Sequence, residues 1–358
     1  MKKAVMAAAV VSAAATGAHA GAVERSTFNT ALLFEQGDYV ELSFGAVAPD
    51  VSGIGTGPFA GTSSGNMSQD YLSVAFGYKQ QLNDTWALAL ILDQPVGADV
   101  AYPADPSYPF ANSTADLDSQ ALTLLAKYST PNNLSFYGGV KAQRLYGKVF
   151  IPFFTNYSLA TDKSDEYGYV LGAAWEKPEI AARVALTYTS EITHTLSSIE
   201  NGAPTGSFDS TVPQSVQLDF QTGVAADTLV FGSVRWVDWS EFQITPPGFA
   251  LASGGLPLAA YDSDYITYSL GVGRRFNDTW SGAVTLTHEP QSDDLQRNLG
   301  PTDGFTSVSV GATYTRDNMK ITGGVRYVFI GDANTTTVGS SFTDNNAIGV
   351  GLKVGYSF

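Results

Sequence analysis

The sequence predicts an all-β fold: a transmembrane antiparallel β-barrel of about fourteen strands with a short N-terminal plug segment. Three observations predict it. The chain ends in Gly349-Val-Gly-Leu-Lys-Val-Gly-Tyr-Ser-Phe358, where Ile348, Val350, Leu352, Val354, Tyr356 and Phe358 share one face. Gly349, Gly351, Lys353, Gly355 and Ser357 share the other. Such strict period-two alternation is a strand with an apolar neighbour on one side and a wet one on the other. Second, short turns alternate with long loops along the whole chain, the asymmetry of bacterial barrels. Third, the pattern follows an export signal.

That signal is Met1-Lys2-Lys3, a small apolar stretch from Ala4 to Thr16, and the A-x-A site Ala18-His19-Ala20. Residues 1–20 read as a secretory signal peptide cleaved after Ala20. The apolar run is well short of the ~20 residues of a membrane helix. No Cys follows the cleavage site, so a lipoprotein is excluded. No later apolar stretch is helix-length either. A chain of this kind enters a membrane only as a closed sheet, because open strands leave backbone groups unpaired in lipid. With no Cys at all, hydrogen bonds rather than disulfides must hold that sheet. The expected location is the outer membrane of a Gram-negative bacterium. The formal net charge is −15, and loss of Lys2 and Lys3 with the leader takes it to −17. This argues against nucleic acid as a partner. Asp99, Asp105, Asp116, Asp118, Asp162, Asp165 and Glu166 fall in or beside predicted loops, as solvated charge or as sites for divalent ions shared with lipopolysaccharide.

Tight turns are expected at Asn83-Asp84, Pro131-Asn132-Asn133, Lys177-Pro178-Glu179, Ala226-Asp227, Asn277-Asp278 and Asp317-Asn318, built from residues that reverse a chain in two or three positions. Two are near copies, Leu82-Asn-Asp-Thr-Trp86 and Phe276-Asn-Asp-Thr-Trp280, and an aromatic beside the turn suits the membrane interface. Longer Gly-, Pro-, Ser- and Asp-rich segments cover 48–69, 97–116, 150–164, 199–213, 246–263, 291–304 and 332–345. Short connections face the periplasm and long ones the outside. The strands between them span 38–47, 70–81, 85–96, 117–129, 134–149, 165–176, 180–196, 214–224, 229–245, 264–276, 280–290, 305–315, 319–331 and 346–358. No helix-period segment of note is expected, and 38–358 form one barrel. On the thirteenth strand Ile321, Gly323, Val325, Tyr327 and Phe329 should face lipid and Thr322, Gly324, Arg326 and Val328 the lumen. On the seventh, Ala182, Val184, Leu186 and Tyr188 face lipid and Arg183, Ala185, Thr187 and Thr189 the lumen. A cation facing lipid at mid-membrane costs ~2–4 kcal/mol, so Arg183 and Arg326 belong inside.

Residues 21–37 are not a strand. They carry Val23, Phe28, Leu32, Leu33 and Phe34 among polar residues, either as a periplasmic tail or as a hatch in the barrel mouth. Burial of each large apolar side chain is worth roughly 1.5–3 kcal/mol and favours the hatch.

Four segments resemble one known family. Val184-Ala-Leu-Thr-Tyr-Thr-Ser-Glu191 resembles the "ALTYRSE" segment of the FadL/TodX outer-membrane transporters of long-chain fatty acids and hydrocarbons. Trp239-Ser-Glu-Phe-Gln243 resembles that family's "WSxFQ", Asn277-Asp278-Thr279-Trp280 its "DDNW", and Ala46 to Gly53 its exit from the first strand. The resemblance covers the barrel nearly end to end. It implies a monomer of fourteen strands with an N-terminal hatch, an apolar ligand site, and sideways release through the wall. It departs at the hatch, which here is shorter and lacks the family's Asn-Pro-Ala motif.

A passive transporter for hydrophobic compounds, foremost long-chain fatty acids, is therefore expected, with no enzyme activity, metal or cofactor. A fatty acid needs an apolar slot for its tail and a cation for its carboxylate. Phe231, Ser233, Arg235, Val237 and Trp239 share the lumen face of the ninth strand, which makes Arg235 and Trp239 the leading site residues. Arg183, Lys141, Arg275, Arg326 and Lys353 are further inward cations, and pairing with lumen acids such as Asp219 and Glu176 is their alternative role. The expected substrate-binding set is Arg235, Trp239, Phe231, Val237, Arg183, Lys141, Phe28, Leu32, Leu33 and Phe34. On the third strand Pro95 cannot donate to the ladder. It either ends that strand or, with Gly97, opens a lateral gate. In the resembled family a kink in the third strand forms the exit. Aromatic loops around Tyr102, Tyr108, Phe110, Phe153, Phe154 and Phe249 form a capture groove or pack over the mouth. The main rival is a general diffusion porin for small polar solutes. An enzyme would need a nucleophile beside a base, and His194, near Ser190 and Ser197, reads as a solvated loop residue.

Overall fold

In the computed structural model, residues 22–26, 30–105, 107–154 and 156–358 are described. The expected signal peptide and Phe28 lie outside them. Fourteen antiparallel strands form a closed barrel. The first, Tyr39–Asp50, pairs with the second, Tyr71–Gln81, and along its full length with the fourteenth, Asn346–Ser357. The third runs Trp86–Asp93, breaks, and resumes as Gly97–Ala101. The fourth is Thr114–Ser129, the fifth Leu134–Ile151, and the sixth Tyr157–Thr161 with Ser164–Lys177. The seventh joins Ala182–Thr189 to Ile192–Glu200, and the eighth joins Ala203–Val212 to Ser215–Ala225. The ninth is Thr228–Val237, the tenth Tyr265–Arg275, the eleventh Trp280–Glu289, the twelfth Phe305–Arg316 and the thirteenth Met319–Ile330.

The alternation sets the facing. Val325, Tyr327 and Phe329 are exposed on the wall while Thr322, Arg326 and Val328 are buried inside. Val184 and Leu186 point out, and Ala185, Thr187 and Thr189 point in. The two copied turns are also alike in structure. Asn83 Oδ1 accepts the backbone N–H groups of Thr85 and Trp86 at 2.9 Å each, and Asn277 Oδ1 accepts those of Thr279 and Trp280 at 2.9 and 2.8 Å. Each tryptophan packs on a tyrosine across the barrel surface, Trp86 on Tyr128 at 5.0 Å and Trp280 on Tyr314 at 5.1 Å. These pairs are interfacial belts on the short-turn rim.

Three elements differ from expectation. The ninth strand stops at Val237 rather than 245, so Trp239 stands in a 3-10 turn, Trp239–Glu241, and not on the strand. Asp238 causes the stop, because its carboxylate accepts from Gln214 Nε2 and Ser240 Oγ and turns the chain away from the ladder. Residues 199–213 are not a loop but the hairpin of Ile192–Glu200 with Ala203–Val212, reversing at Asn201-Gly202, where φ is 52° and 80°. Two consecutive positive φ values are the turn that matches strand twist. Third, a short helix, Pro247–Ser253, lies in the loop after the ninth strand and ends at Gly254 with φ 75°.

The long loops pack over the mouth ring against ring. Tyr102 contacts Tyr108 and Phe110 at 5.7 Å each, Phe110 contacts Phe153 and Phe154, and Phe249 links Phe154 at 5.6 Å to Tyr157 at 5.1 Å. Glu200 pins this cap. It accepts from Tyr157 Oη and from the backbone N–H groups of Gly248 and Phe249 at 2.7–2.8 Å, and from Thr205 Oγ1 at 2.5 Å. Burial alone would raise its carboxyl, but these four donors hold it below the usual carboxylate range.

Candidate functional site

The site is built where the third strand breaks. Below the break the second and third strands pair from Gln81↔Ala87 to Phe76↔Leu92. Above it they meet again through Gln69 N–H to Asp99 O at 3.0 Å and Ala101 N–H to Met67 O at 2.8 Å. Between these limits the backbone ladder of Tyr71 to Ala75 runs with the first strand, and a side-chain bond, Val74 N–H to Gln94 Oε1 at 3.2 Å, crosses to the third. Pro95 therefore interrupts the strand rather than ending it. The result is a window in the wall, with Leu72, Val74 and Leu92 exposed around it.

A backbone break inside a membrane needs its polar groups satisfied from within the protein. Two sources supply this. Ser119 Oγ on the fourth strand bonds both Val96 N–H and Val96 O. The N-terminal segment supplies the rest. Gly97 N–H donates to Val23 O at 2.8 Å, Arg25 N–H donates to Pro95 O at 2.9 Å, and Glu24 and Val96 form an antiparallel bridge. Ser26 Oγ adds a bond to Gln94 O at 2.9 Å. Residues 22–26 thus lie against the break as a strap. Gly97 permits the close approach: a Cβ there would meet Arg25 Nε at 2.5 Å and Leu117 O at 3.0 Å.

The strap carries its own charges to fixed partners. Arg25 pairs with Asp99 on the third strand and lies over the Tyr71 ring of the second at 4.3 Å, so one side chain spans the window. Glu24 meets Arg235 in a two-pronged pair at 2.7 and 3.1 Å. Lys141, deeply buried, interacts electrostatically with Asp93, Glu24 and Arg235.

Two cavities flank the strap. One, of about 110 Å³, is lined by the strap from Ala22 to Arg25 and by both window edges, including Met67, Tyr71 and Val100. The other, of about 50 Å³, is almost wholly apolar and includes Leu117, Leu196, Phe208 and Phe242. Val23, Ala98 and Leu299 line both and form the wall between them.

The expected site residues fall into three places. Arg235 and Lys141 belong to the polar layer beneath the cavities and line neither. Val237 and Trp239 sit behind them in a buried cluster with Phe242, Tyr261 and Tyr265. Trp239 reaches it by the 3-10 turn, 5.8 Å from Phe242 and 5.5 Å from Tyr261. Phe231 lies elsewhere, with Leu229 and Ala283. Of the remaining described residues, Leu32, Leu33 and Phe34 form a foot at the short-turn rim, where Arg183 of the seventh strand meets it. In the 3-10 helix Thr30–Phe34, Leu32 and Leu33 are 3% and 0% exposed. The Phe34 ring lies between Lys127 Nζ at 4.2 Å and the Arg183 guanidinium at 4.4 Å. Glu176 pairs with Lys127 at 3.5 Å, and Arg183 bonds Gln221 at 3.2 Å. Expectation missed Glu24, Arg25, Asp93 and Asp99. Their signal was opposite charges placed side by side in a short apolar segment and beside a proline break. His194 is 0% exposed, on the same strand face as Leu196 and Glu200, and is not the solvated residue expected. The unexpected hairpin strand encloses it.

A profile of outer membrane protein transport proteins (OMPP1/FadL/TodX) matches residues 6–358. A Pseudomonas aeruginosa FadL homologue has a solved structure alike at TM-score 0.72, with 16% identity over 92% of each chain. The Pseudomonas putida toluene transporter TodX is alike at 0.64, with 13% identity over 96% of each chain. The Ralstonia pickettii toluene transporter TbuX is alike at 0.61, with 14% identity over 91% of each. At these identities the likeness is one of fold. No curated protein matches by sequence.

Proposed function

The chain belongs to the OMPP1/FadL/TodX family of outer membrane transport proteins, and from that premise we propose that it passes hydrophobic compounds from the cavities beside Val23 and Ala98 sideways into the membrane through the window between the second and third strands. The observation that carries this reading is the shared wall. The same strap residues, Ala22 to Arg25, line the larger cavity and fill the break. Residues 21–37 act as the hatch, with the foot closing the periplasmic end and the strap closing the window. This arrangement speaks against a general diffusion porin, which needs an open wet path.

The substrate class follows from size and charge. An apolar cavity of roughly 150 Å³ accepts benzene, so about 110 Å³ suits a single ring or a short alkyl chain. Uncharged hydrocarbons of that size are the best fit, and several fold relatives are described as monoaromatic hydrocarbon channels. A long-chain fatty acid, the class favoured by sequence, has one supporting observation in Arg235, but that guanidinium already holds Glu24.

The test uses the absence of cysteine. Val74→Cys with Gln94→Cys places a disulfide across the window. Toluene uptake into cells expressing this variant should fall at least tenfold and recover on reduction. Full uptake with the disulfide formed would refute lateral release. A large, stable conductance of the unmodified chain in planar bilayers would refute the closed channel altogether.

A further inference from the structure

We propose that Glu24 sets the charge selectivity of the channel: its carboxylate occupies the Arg235 guanidinium in advance, so uncharged hydrophobes are accepted and carboxylates refused. The inference rests on the reading of the two cavities as the ligand site, and it assigns that site's discriminating residue.

Glu24 lines the larger cavity and Arg235 does not. Glu24 thus borders the cavity and also holds the guanidinium. Both side chains are about one-tenth exposed, 12% and 11%, and meet through two contacts. Two-pronged guanidinium–carboxylate geometry is what a ligand carboxylate would otherwise adopt there. The position of Glu24 is also set by main chain, since its residue is the bridge to Val96 and its neighbours Val23 and Arg25 are bonded to Gly97 and Pro95. It is a held group and not a free side chain.

The remaining charges offer no substitute. In the larger cavity Arg25 pairs with Asp99, and in the smaller Lys148 pairs with Asp116 at 3.2 Å. Around Glu24, Asp93 and Glu289 supply two further negative groups against Arg235, Lys141 and Arg326. Asp219 adds a further carboxylate that faces Arg235. Arg326 is bonded to Ser307 Oγ at 3.0 Å and set over the Phe305 ring at 5.2 Å. An added ligand carboxylate would bring a further buried negative charge to a guanidinium already paired with Glu24, which is strongly unfavourable. Removal of Glu24 takes away the carboxylate that holds the Arg235 guanidinium.

Toluene and benzoate test this, as the same ring without and with a carboxylate. Binding is measured at pH 8 to the full mature chain in detergent, for wild type, Glu24→Gln, Glu24→Ala and Glu24→Ala with Arg235→Ala. Folding is checked by the heat-dependent gel shift of a closed barrel. Wild type should bind benzoate at least tenfold more weakly than toluene. Glu24→Ala should bind benzoate at least tenfold better than wild type, with the benzoate-to-toluene affinity ratio rising at least tenfold, and the double variant should lose that gain. If Glu24→Ala does not fold, Glu24→Gln, which keeps a hydrogen bond to Arg235, should still gain about threefold. Equal benzoate binding in wild type and both Glu24 variants, or a gain that survives loss of Arg235, would overturn the proposal. Failure of toluene to bind wild type would instead overturn the ligand-site reading, and the benzoate comparison would still report on Glu24.

Discussion

The foot and the strap are neighbours in sequence but are held by different mixtures of apolar burial and polar contact. The foot, Thr30–Phe34, buries Leu32 and Leu33 completely or nearly so, and barrel cations clasp its backbone. Lys79 Nζ donates to Glu35 O and Gly37 O at 2.8 Å each, and Lys127 Nζ donates to Leu33 O at 3.2 Å. Lys320 adds a pair to Glu35 at 2.8 Å. The strap sets only Ala22 and Val23, both partly buried, against the barrel's apolar cluster. It is held by bonds to a broken strand and by two ion pairs. Apolar burial is non-directional and is lost only with the whole contact. An ion pair has a defined geometry and can be exchanged for another. On the proposed function, the foot would be the permanent closure and the strap the reversible one.

Four changes would break or sharpen this contrast. The largest effect is expected from Leu32→Ala with Leu33→Ala, about 5 kcal/mol of local stability lost from two buried leucines. Hydrogen exchange of the foot should rise steeply and bilayer conductance should appear. If exchange in the foot is unchanged, its apolar anchoring is not what holds it. Next comes Glu24→Ala, at about 3 kcal/mol, because an uncompensated buried Arg235 is left behind. Exchange at Gly97 N–H should quicken while that of the foot stays slow. Coupled loosening of both would merge the two regions into one unit. Gly97→Ala should cost about 1–2 kcal/mol, since its Cβ displaces the flexible Arg25 side chain and crowds Leu117 O. The barrel should melt as before while toluene uptake rises, and unaltered uptake would detach the strap from gating. The smallest effect is Lys320→Ala, at about 1 kcal/mol or less for a partly exposed pair. Foot exchange should shift slightly, and a larger loss would mean that charge, not burial, secures the foot.

Much of this was legible in order along the chain. The strand spans, the copied turns at Asn83 and Asn277 and the inward placement of Arg183 and Arg326 follow from period two and turn chemistry, which are local. Pro95 and Gly97 were legible as a disturbance but not as a window, because whether a break ends a strand depends on what pairs beyond it. Trp239 was misplaced because alternation continues on paper past Asp238, where a side chain diverts the chain. The hairpin of Ala203–Val212 was hidden by its Pro and Gly content, and it folds because Ile192–Glu200 is there to pair with.

What the residues determined alone was a closed, lipid-facing sheet, since each strand must meet oil on one side and a lumen on the other and writes that demand into every second position. Which lumen charge meets which was decided only by the tertiary structure. Glu24 and Arg235 are two hundred and eleven positions apart, and no local pattern encodes a pair made by laying one strap across a closed barrel.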